Sequence, residues 1–170
     1  MKQLPVVRLR AMEPEDLDLL YTIENDTSIW QVGLTNVPYS RYVLHDFMSS
    51  NTGDIYTDKE VRLLIENEAK EVVGIVDLLK FDPKNQKAEL GLLISSAFRG
   101  QGYAKATISL IHDYALSTLH LHQLYVVIAA SNETTLALFR QHDYQQSGIL
   151  QDWLYDGRTY HDAIIMQHLL

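Results

Sequence analysis

Chemistry is concentrated between Ala88 and Ala104, where the sequence reads AELGLLISSAFRGQGYA. Within it, Arg99-Gly100-Gln101-Gly102-Tyr103-Ala104 is a glycine-rich turn between an apolar run and a long amphipathic segment. Glycines let backbone N–H groups point outward, and a helix start leaves its first four N–H groups unpaired at the positive end of its dipole. Such a turn can hold a pyrophosphate. No cysteine occurs in the 170 residues, so disulfides, thiolate metal sites and cysteine nucleophiles are excluded. His120 and His122 have His-x-His spacing, but no third ligand is suggested nearby; a helix end running into a strand is the simpler reading, and no metal is expected.

The elements that must position these groups follow from periodicity. Leu90, Leu92, Leu93 and Ile94 form a buried strand, Ser95 to Arg99 a connection, and Tyr103 onward a helix with Ile108, Ile111, Ala115 and Leu119 at helical spacing, ending near His120. Upstream, Val6 to Arg10 reads as a strand, and Pro14 opens a helix whose Glu15 and Asp16 suit its first turn. Leu17, Leu20, Tyr21 and Glu24 share a face of that helix. Trp30 to Pro38 is a loop, and Tyr39 to Met48 a second helix with Tyr42, Val43, Phe47 and Leu44 as its buried side. After the polar connection Asn51 to Asp58, Val61 to Glu66 and Val72 to Phe81 are strands that can form an antiparallel meander with the one at Leu90. Tyr125 to Ala130 is a strand, Thr134 to His142 a helix capped by Ser131-Asn132, and Tyr144 to Tyr155 with Arg158 to Met166 a hairpin whose Asp156-Gly157 suits a type I′ turn. Tyr125 and Tyr144 could supply hydroxyls, although their positions favour the core. The pattern gives one mixed α/β domain over residues 1–170, with a central sheet of about seven mainly antiparallel strands and about four helices.

The formal net charge is −8, from 22 acids against 14 bases, which argues against nonspecific nucleic-acid binding and would attract a cation, although solubility alone accounts for it. No apolar stretch has membrane-spanning length and MKQLPVVRLR lacks a signal-peptide core, so a cytoplasmic protein without a membrane partner is expected.

The motif Arg99-Gly100-Gln101-Gly102-Tyr103-Ala104, placed between a strand and a helix and followed by Ser131-Asn132-Glu133 through Leu138-Phe139, resembles the acyl-CoA signature of the GNAT superfamily of N-acetyltransferases. Ala88-Glu89, the stretch Ala115 to Tyr125 and Asp156-Gly157-Arg158-Thr159-Tyr160 are most similar to the spermidine and diamine N-acetyltransferases, relatives of the enzymes that acetylate ribosomal-protein N-termini. The paired acids usual in the polyamine enzymes before the Pro-Tyr of the second helix are replaced here by Thr35-Asn36.

The resemblance implies that acetyl-CoA is the co-substrate, with no metal. It assigns backbone groups of Leu92, Leu93 and Ile94 to the pantetheine arm, and Arg99, Gly100, Gln101, Gly102, Tyr103 and Ala104 to the pyrophosphate. Asn132 would both cap its helix and contact the cofactor arm. Phe139 stands where many relatives carry the tyrosine that protonates the CoA thiolate, so it is core or a wall near the thioester, and another group or water must reprotonate sulfur. Glu89 is the candidate catalytic base, or else a surface partner for Lys87 or Lys80. The oxyanion would sit on a backbone N–H near Leu92. Glu24 and Asp152 are substrate-binding candidates, Glu24 with the alternative of a solvated helix face. Gly102→Glu is expected to abolish cofactor binding with the fold intact. The acceptor implied is a small-molecule primary amine such as spermidine; the alternatives are a peptide or protein N-terminal amine, and a non-catalytic CoA-binding sensor or assembly subunit. Relatives often form homo-oligomers.

Overall fold

The computed structural model describes residues 4–27 and 37–170. Thr35 and Asn36 lie outside them. In chain order the elements are β1 (Val7–Arg10), α1 (Leu17–Glu24), α2 (Arg41–Ser50), α3 (Ile55–Asp58), β2 (Val61–Asn67), β3 (Val72–Asp82), β4 (Lys87–Ile94), α4 (Tyr103–Ser117), β5 (Gln123–Ala129), α5 (Glu133–Arg140), β6 (Gln145–Tyr155) and β7 (Tyr160–Leu169). They build a seven-stranded sheet of order β1-β2-β3-β4-β5-β7-β6. The first four strands form an antiparallel meander, β5 runs parallel to β4, and β7 lies antiparallel between β5 and β6.

Alternation along the strands divides the core in two. Ile65, Val76, Leu90, Leu124 and Val126 pack with Ile108 and Ile111 of α4 and with Leu136 and Phe139 of α5. Leu64 and Ile75 face the other way, onto Leu20 and Ile23 of α1 and Leu44 of α2, with Leu93 against that cluster. Sequence neighbours such as Leu64 and Ile65 therefore serve opposite layers, as the two-residue period of a strand requires.

The buried side of α2 differs from the expectation. Ser40 caps the helix by accepting the Val43 N–H at 3.2 Å. Leu44, Phe47 and Met48 then fall on the face packed against α1, while Tyr42 and Val43 are 81% and 45% exposed. Asn25 ties the two helices together, its amide donating to Tyr39 O at 3.0 Å and its oxygen accepting the Tyr39 N–H at 2.8 Å. The connection Asn51 to Asp58 contains one helical turn, α3, capped by Asp54. At the last hairpin, Tyr155 pairs with Tyr160 across a four-residue loop in which Asp156 accepts the Arg158 and Thr159 N–H groups, both at 2.8 Å. That side-chain-closed turn replaces the expected two-residue type I′ turn; Gly157 has a positive φ but Asp156 does not.

Beneath the sheet, His112 of α4 shares a 3.1 Å hydrogen bond with the hydroxyl of buried Tyr144 and stacks on His168 of β7 at 4.3 Å. Burial, reinforced by His168 and His142, pushes its pKa down to about 4. The folded protein therefore keeps this imidazole neutral across a range in which the unfolded chain, at about 6.5, takes up a proton. Stability is accordingly lost as pH falls from about 6.5 to about 4, by about 1–2 kcal/mol after allowance for partial solvation. Urea midpoints measured between pH 7 and 4.5 should fall less steeply for His112→Asn than for the parent.

Candidate active site

β4 and β5 are paired only over Lys87–Glu89 with Gln123–Tyr125. Beyond Glu89 the two parallel strands separate, and among the described residues β4 is paired only with β3 from Leu90 to Ile94. The ladder alternates: Ser95 N–H bonds Val73 O at 2.9 Å, so Leu93, Gly91 and Glu89 likewise direct their backbone groups to β3. Leu90, Leu92 and Ile94 turn theirs to the open side. Of the strand residues expected at the opening, Leu92 and Ile94 thus present backbone groups to it, and Leu93 does not. Arg99 closes the upper end, its Nε donating to Ile94 O at 2.9 Å.

The glycine turn sits directly above. Gly100 and Gly102 have φ of 73° and 93°, left-handed values that glycine adopts without strain. Gly102 is the N-cap of α4, and among the described residues no side chain caps it. The helix's first internal bond is Ala106 N–H to Gly102 O, which leaves the N–H groups of Tyr103, Ala104 and Lys105 ahead of the ladder. An open strand edge leading to uncapped helix donors fits an extended chain that ends in phosphates. A Cβ at Gly102 would lie 3.1 Å from Pro5 Cδ, whereas one at Gly100 meets nothing within 4 Å. Gly102→Glu would therefore disturb the Leu4-Pro5 segment as well as the cradle, contrary to the expectation that the fold stays intact; Gly100 is the position where the cradle can be altered alone.

Glu89 occupies the last rung before the strands part. Its register partners are Leu79 on β3 and Tyr125 on β5, and its Oε2 is buried 2.6 Å from Lys80 Nζ. That approach is short but misaligned for a hydrogen bond, so among the described residues Oε2 has no directed donor. Burial, with the nearby Glu89 carboxylate adding to it, raises the pKa of the Tyr125 hydroxyl. Leu124, Val126 and Ile128 take the core side of β5, so Tyr125 shares the face of Glu89. The sequence favoured core for both tyrosines; Tyr144 is core, whereas Tyr125 joins the site through a strand register that only long-range pairing sets.

On the same face, Arg62 clamps Asp77 with two bonds, Nε to Oδ1 at 2.8 Å and NH2 to Oδ2 at 3.0 Å, and donates from NH1 to Glu24. Asp77 pairs with Gly91, whose missing side chain leaves Asp77 Cβ 3.4 Å from where a Cβ would stand. Glu24 is therefore part of a two-acid, one-arginine cluster beside the opening instead of a solvated helix face. Arg62 and Asp77 carried no sequence signal, since they meet only when β2 pairs with β3.

Asn132 caps α5, its Oδ1 accepting the Thr135 N–H at 3.2 Å. Phe139 is 3% exposed and packs edge-on against Tyr144. Asp152 is exposed on β6, which β7 separates from β5, so the structure does not bring it beside Glu89. Its N–H bonds Asp162 Oδ1 at 3.0 Å. His120 adopts a left-handed φ of 53° just after α4, and His122 N–H bonds Gln86 O at 2.7 Å. No helix among the described residues is long and apolar enough to cross a membrane.

The GNAT acetyltransferase domain model matches residues 7–145. The chain belongs to the GNAT acetyltransferase family. Its similarity extends to the spermidine N(1)-acetyltransferase of Escherichia coli, at 28% identity over 166 residues, covering 95% of this chain and 87% of that one. The putative ribosomal N-acetyltransferase YdaF of Bacillus subtilis is 26% identical over 165 residues, with 93% and 88% covered. Among solved structures, spermidine N-acetyltransferase from Vibrio cholerae in complex with CoA and spermine superposes with a TM-score of 0.86 at 26% identity, over 96% of this chain and 95% of that one. A dodecameric structure of the Vibrio cholerae enzyme gives 0.81 at 26% identity, with 96% and 93% covered. The seven-stranded mixed sheet of this GNAT protein thus agrees with the fold class expected from its sequence.

Proposed function

We propose that this protein transfers an acetyl group from acetyl-CoA to a primary amine of a polyamine, spermidine foremost. The observation that carries the reading is the parting of β4 from β5 immediately above Glu89, below the uncapped start of α4. Acetyl-CoA as co-substrate supplies the activated acetyl group. Leu92 and Ile94 would align its pantetheine arm as a further strand, with the Asn132 amide as a second contact, and the turn Arg99–Ala104 would hold its pyrophosphate.

An alkyl ammonium of pKa about 10.4 must lose a proton before its nitrogen can attack a carbonyl. Glu89 binds the cation and takes that proton directly or through water. The Leu92 N–H, aimed at the opening, steadies the oxyanion. The Glu24–Arg62–Asp77 cluster sets two carboxylates beside the opening, chemistry that suits a second ammonium along the same molecule, which a polyamine offers. Phe139 has no proton to return to the departing sulfur. Tyr125, the register partner of Glu89 on the same face, carries a hydroxyl that can return one. Tyr125→Phe should lower kcat about tenfold, because water substitutes in part, and adding Phe139→Tyr should recover part of the loss.

The deciding experiment follows thiol release from acetyl-CoA over polyamines, aminoglycosides and N-terminal peptides. Turnover of spermidine is the expected result. Turnover only of peptides favours N-terminal acetylation, CoA binding without turnover favours a sensor or assembly subunit, and no CoA binding removes both enzyme and sensor.

We further propose a homo-oligomer assembled through β6. This strand is an edge of the sheet, and the hairpin it forms exposes Ile149, Trp153, Tyr155 and Tyr160. Its Vibrio cholerae relative is dodecameric. Light scattering should show a multimer for the parent protein and a smaller species for Trp153→Glu; a parent monomer would dismiss the assembly.

A further inference from the structure

Lys80 is brought to Glu89 by an irregular backbone. Register runs Leu79 to Glu89 and then Asp82 to Lys87, so Lys80 and Phe81 of β3 together oppose Ala88 of β4. Lys80 has a φ of 52°, a left-handed conformation that a side-chain-bearing residue rarely adopts. Simple alternation from buried Leu78 would send Lys80 into the core and Phe81 to the outer face. Instead Phe81 is buried, edge-on to Tyr56, and its N–H leaves the sheet ladder to bond Lys59 O at 2.9 Å. The bulge thereby swings Lys80 onto the face of Glu89, and bulges beside active sites commonly re-aim a side chain in this way.

The group delivered is a primary ammonium, the same chemical class as the proposed acceptor. Its Nζ stands 2.6 Å from Glu89 Oε2, while the Lys80 side chain is 66% exposed and that of Glu89 only 17%. The tether is thus in solvent and the contact at its end is sheltered. Glu89 raises the pKa of Lys80 against a small opposing effect of burial. In the resting protein, a cation already fills the place where an incoming ammonium would be bound.

We propose that Lys80 is an internal stand-in for the acceptor: it occupies the ammonium seat on Glu89, must be displaced by a free amine, and in the absence of one is itself acetylated. The inference rests on the role of Glu89 proposed above. In the transfer a bond forms between Nζ and the acetyl carbonyl carbon as the carbon–sulfur bond breaks. Of the two protons the ammonium sheds, one passes to Glu89 and on to solvent, and the other ends on the departing thiolate. The products are Nε-acetyl-lysine and CoA. The modified side chain carries no charge and no longer competes as a cation for the seat.

Two measurements test this on the full chain. Calorimetry with spermidine, without acetyl-CoA, should show Lys80→Met binding about two- to fivefold tighter than the parent, the range for releasing a partly exposed ion pair; equal or weaker binding overturns the shared seat. Incubation with acetyl-CoA and no amine, followed by peptide mass spectrometry, should place an acetyl group on Lys80. The mark should be suppressed by saturating spermidine and be absent in Glu89→Gln and Lys80→Arg. A mark missing from Lys80, or spread equally over Lys59, Lys70 and Lys84 and unchanged in Glu89→Gln, overturns the proposal. If spermidine turns over while Lys80 stays unmodified, only this inference falls; if neither reaction occurs, the assignment of Glu89 falls with it.

Discussion

Glu89→Gln should lower kcat/KM for spermidine by about 10²–10³-fold at neutral pH, the range for removing a positioned general base. The deficit should shrink as pH rises. Near neutrality almost all of an amine of pKa about 10.4 is protonated and needs a base; toward pH 10 much of it arrives as free amine and attacks unaided. Glutamine keeps the shape and cannot take the proton, so the variant's profile should climb steeply where the parent's has levelled. KM for acetyl-CoA should stay within about threefold, because Glu89 sends its backbone groups to β3 and not to the opening. A parent-like rate at pH 7 would move the base elsewhere on this face, with Asp77 the first alternative.

Gly100→Asp should raise KM for acetyl-CoA on the order of a hundredfold, while Gly100→Asn raises it only about threefold. Both residues tolerate the left-handed conformation better than other side chains do. Gly100 has a φ of 73° and open space around the missing Cβ, so either variant should cost only about 1 kcal/mol of stability. They differ by one negative charge. A carboxylate near 4 Å from a phosphate oxygen opposes binding by about 4 kcal/mol at a surface-like dielectric, and salt screens part of it. Raising ionic strength should therefore narrow the gap between the two variants. Equal KM values for Asp and Asn would place the pyrophosphate somewhere other than this turn.

Both experiments probe features that differ in how far the sequence revealed them. The turn was legible because its requirement is local: two glycines after an apolar strand and before an amphipathic helix announce backbone donors at a helix start; the left-handed φ values of Gly100 and Gly102 were added by the structure. Glu89 was legible as a candidate through the family resemblance, which puts a glutamate beside that strand. Its alternative as a partner of Lys80 was legible too, and the structure contains that pair as well. What could not be read was how Lys80 arrives there. A strand pattern predicts alternation, and the bulge at Lys80-Phe81 breaks it because burying Phe81 outweighs keeping the period.

The helices show the same division. Apolar spacing located α4 and its buried residues Ile108, Ile111 and Ala115. In α2 the spacing pointed to Tyr42 and Val43 as buried beside Phe47 and Leu44, and packing on α1 kept Leu44 and Phe47 inside while leaving Tyr42 and Val43 exposed. Arg62, Asp77 and Tyr125 were ordinary strand residues until pairing set them on one face. Local chemistry, meaning propensities, turns and caps, is written residue by residue, so the sequence by itself determined the element order apart from the single turn of α3, the glycine turn and the candidate base. Strand register and helix orientation depend on contacts between residues far apart in the chain. The tertiary structure alone therefore decided that β4 opens from β5 above Glu89, that Leu92 and Ile94 but not Leu93 face the opening, and that a lysine already sits on the carboxylate where the acceptor is expected to bind.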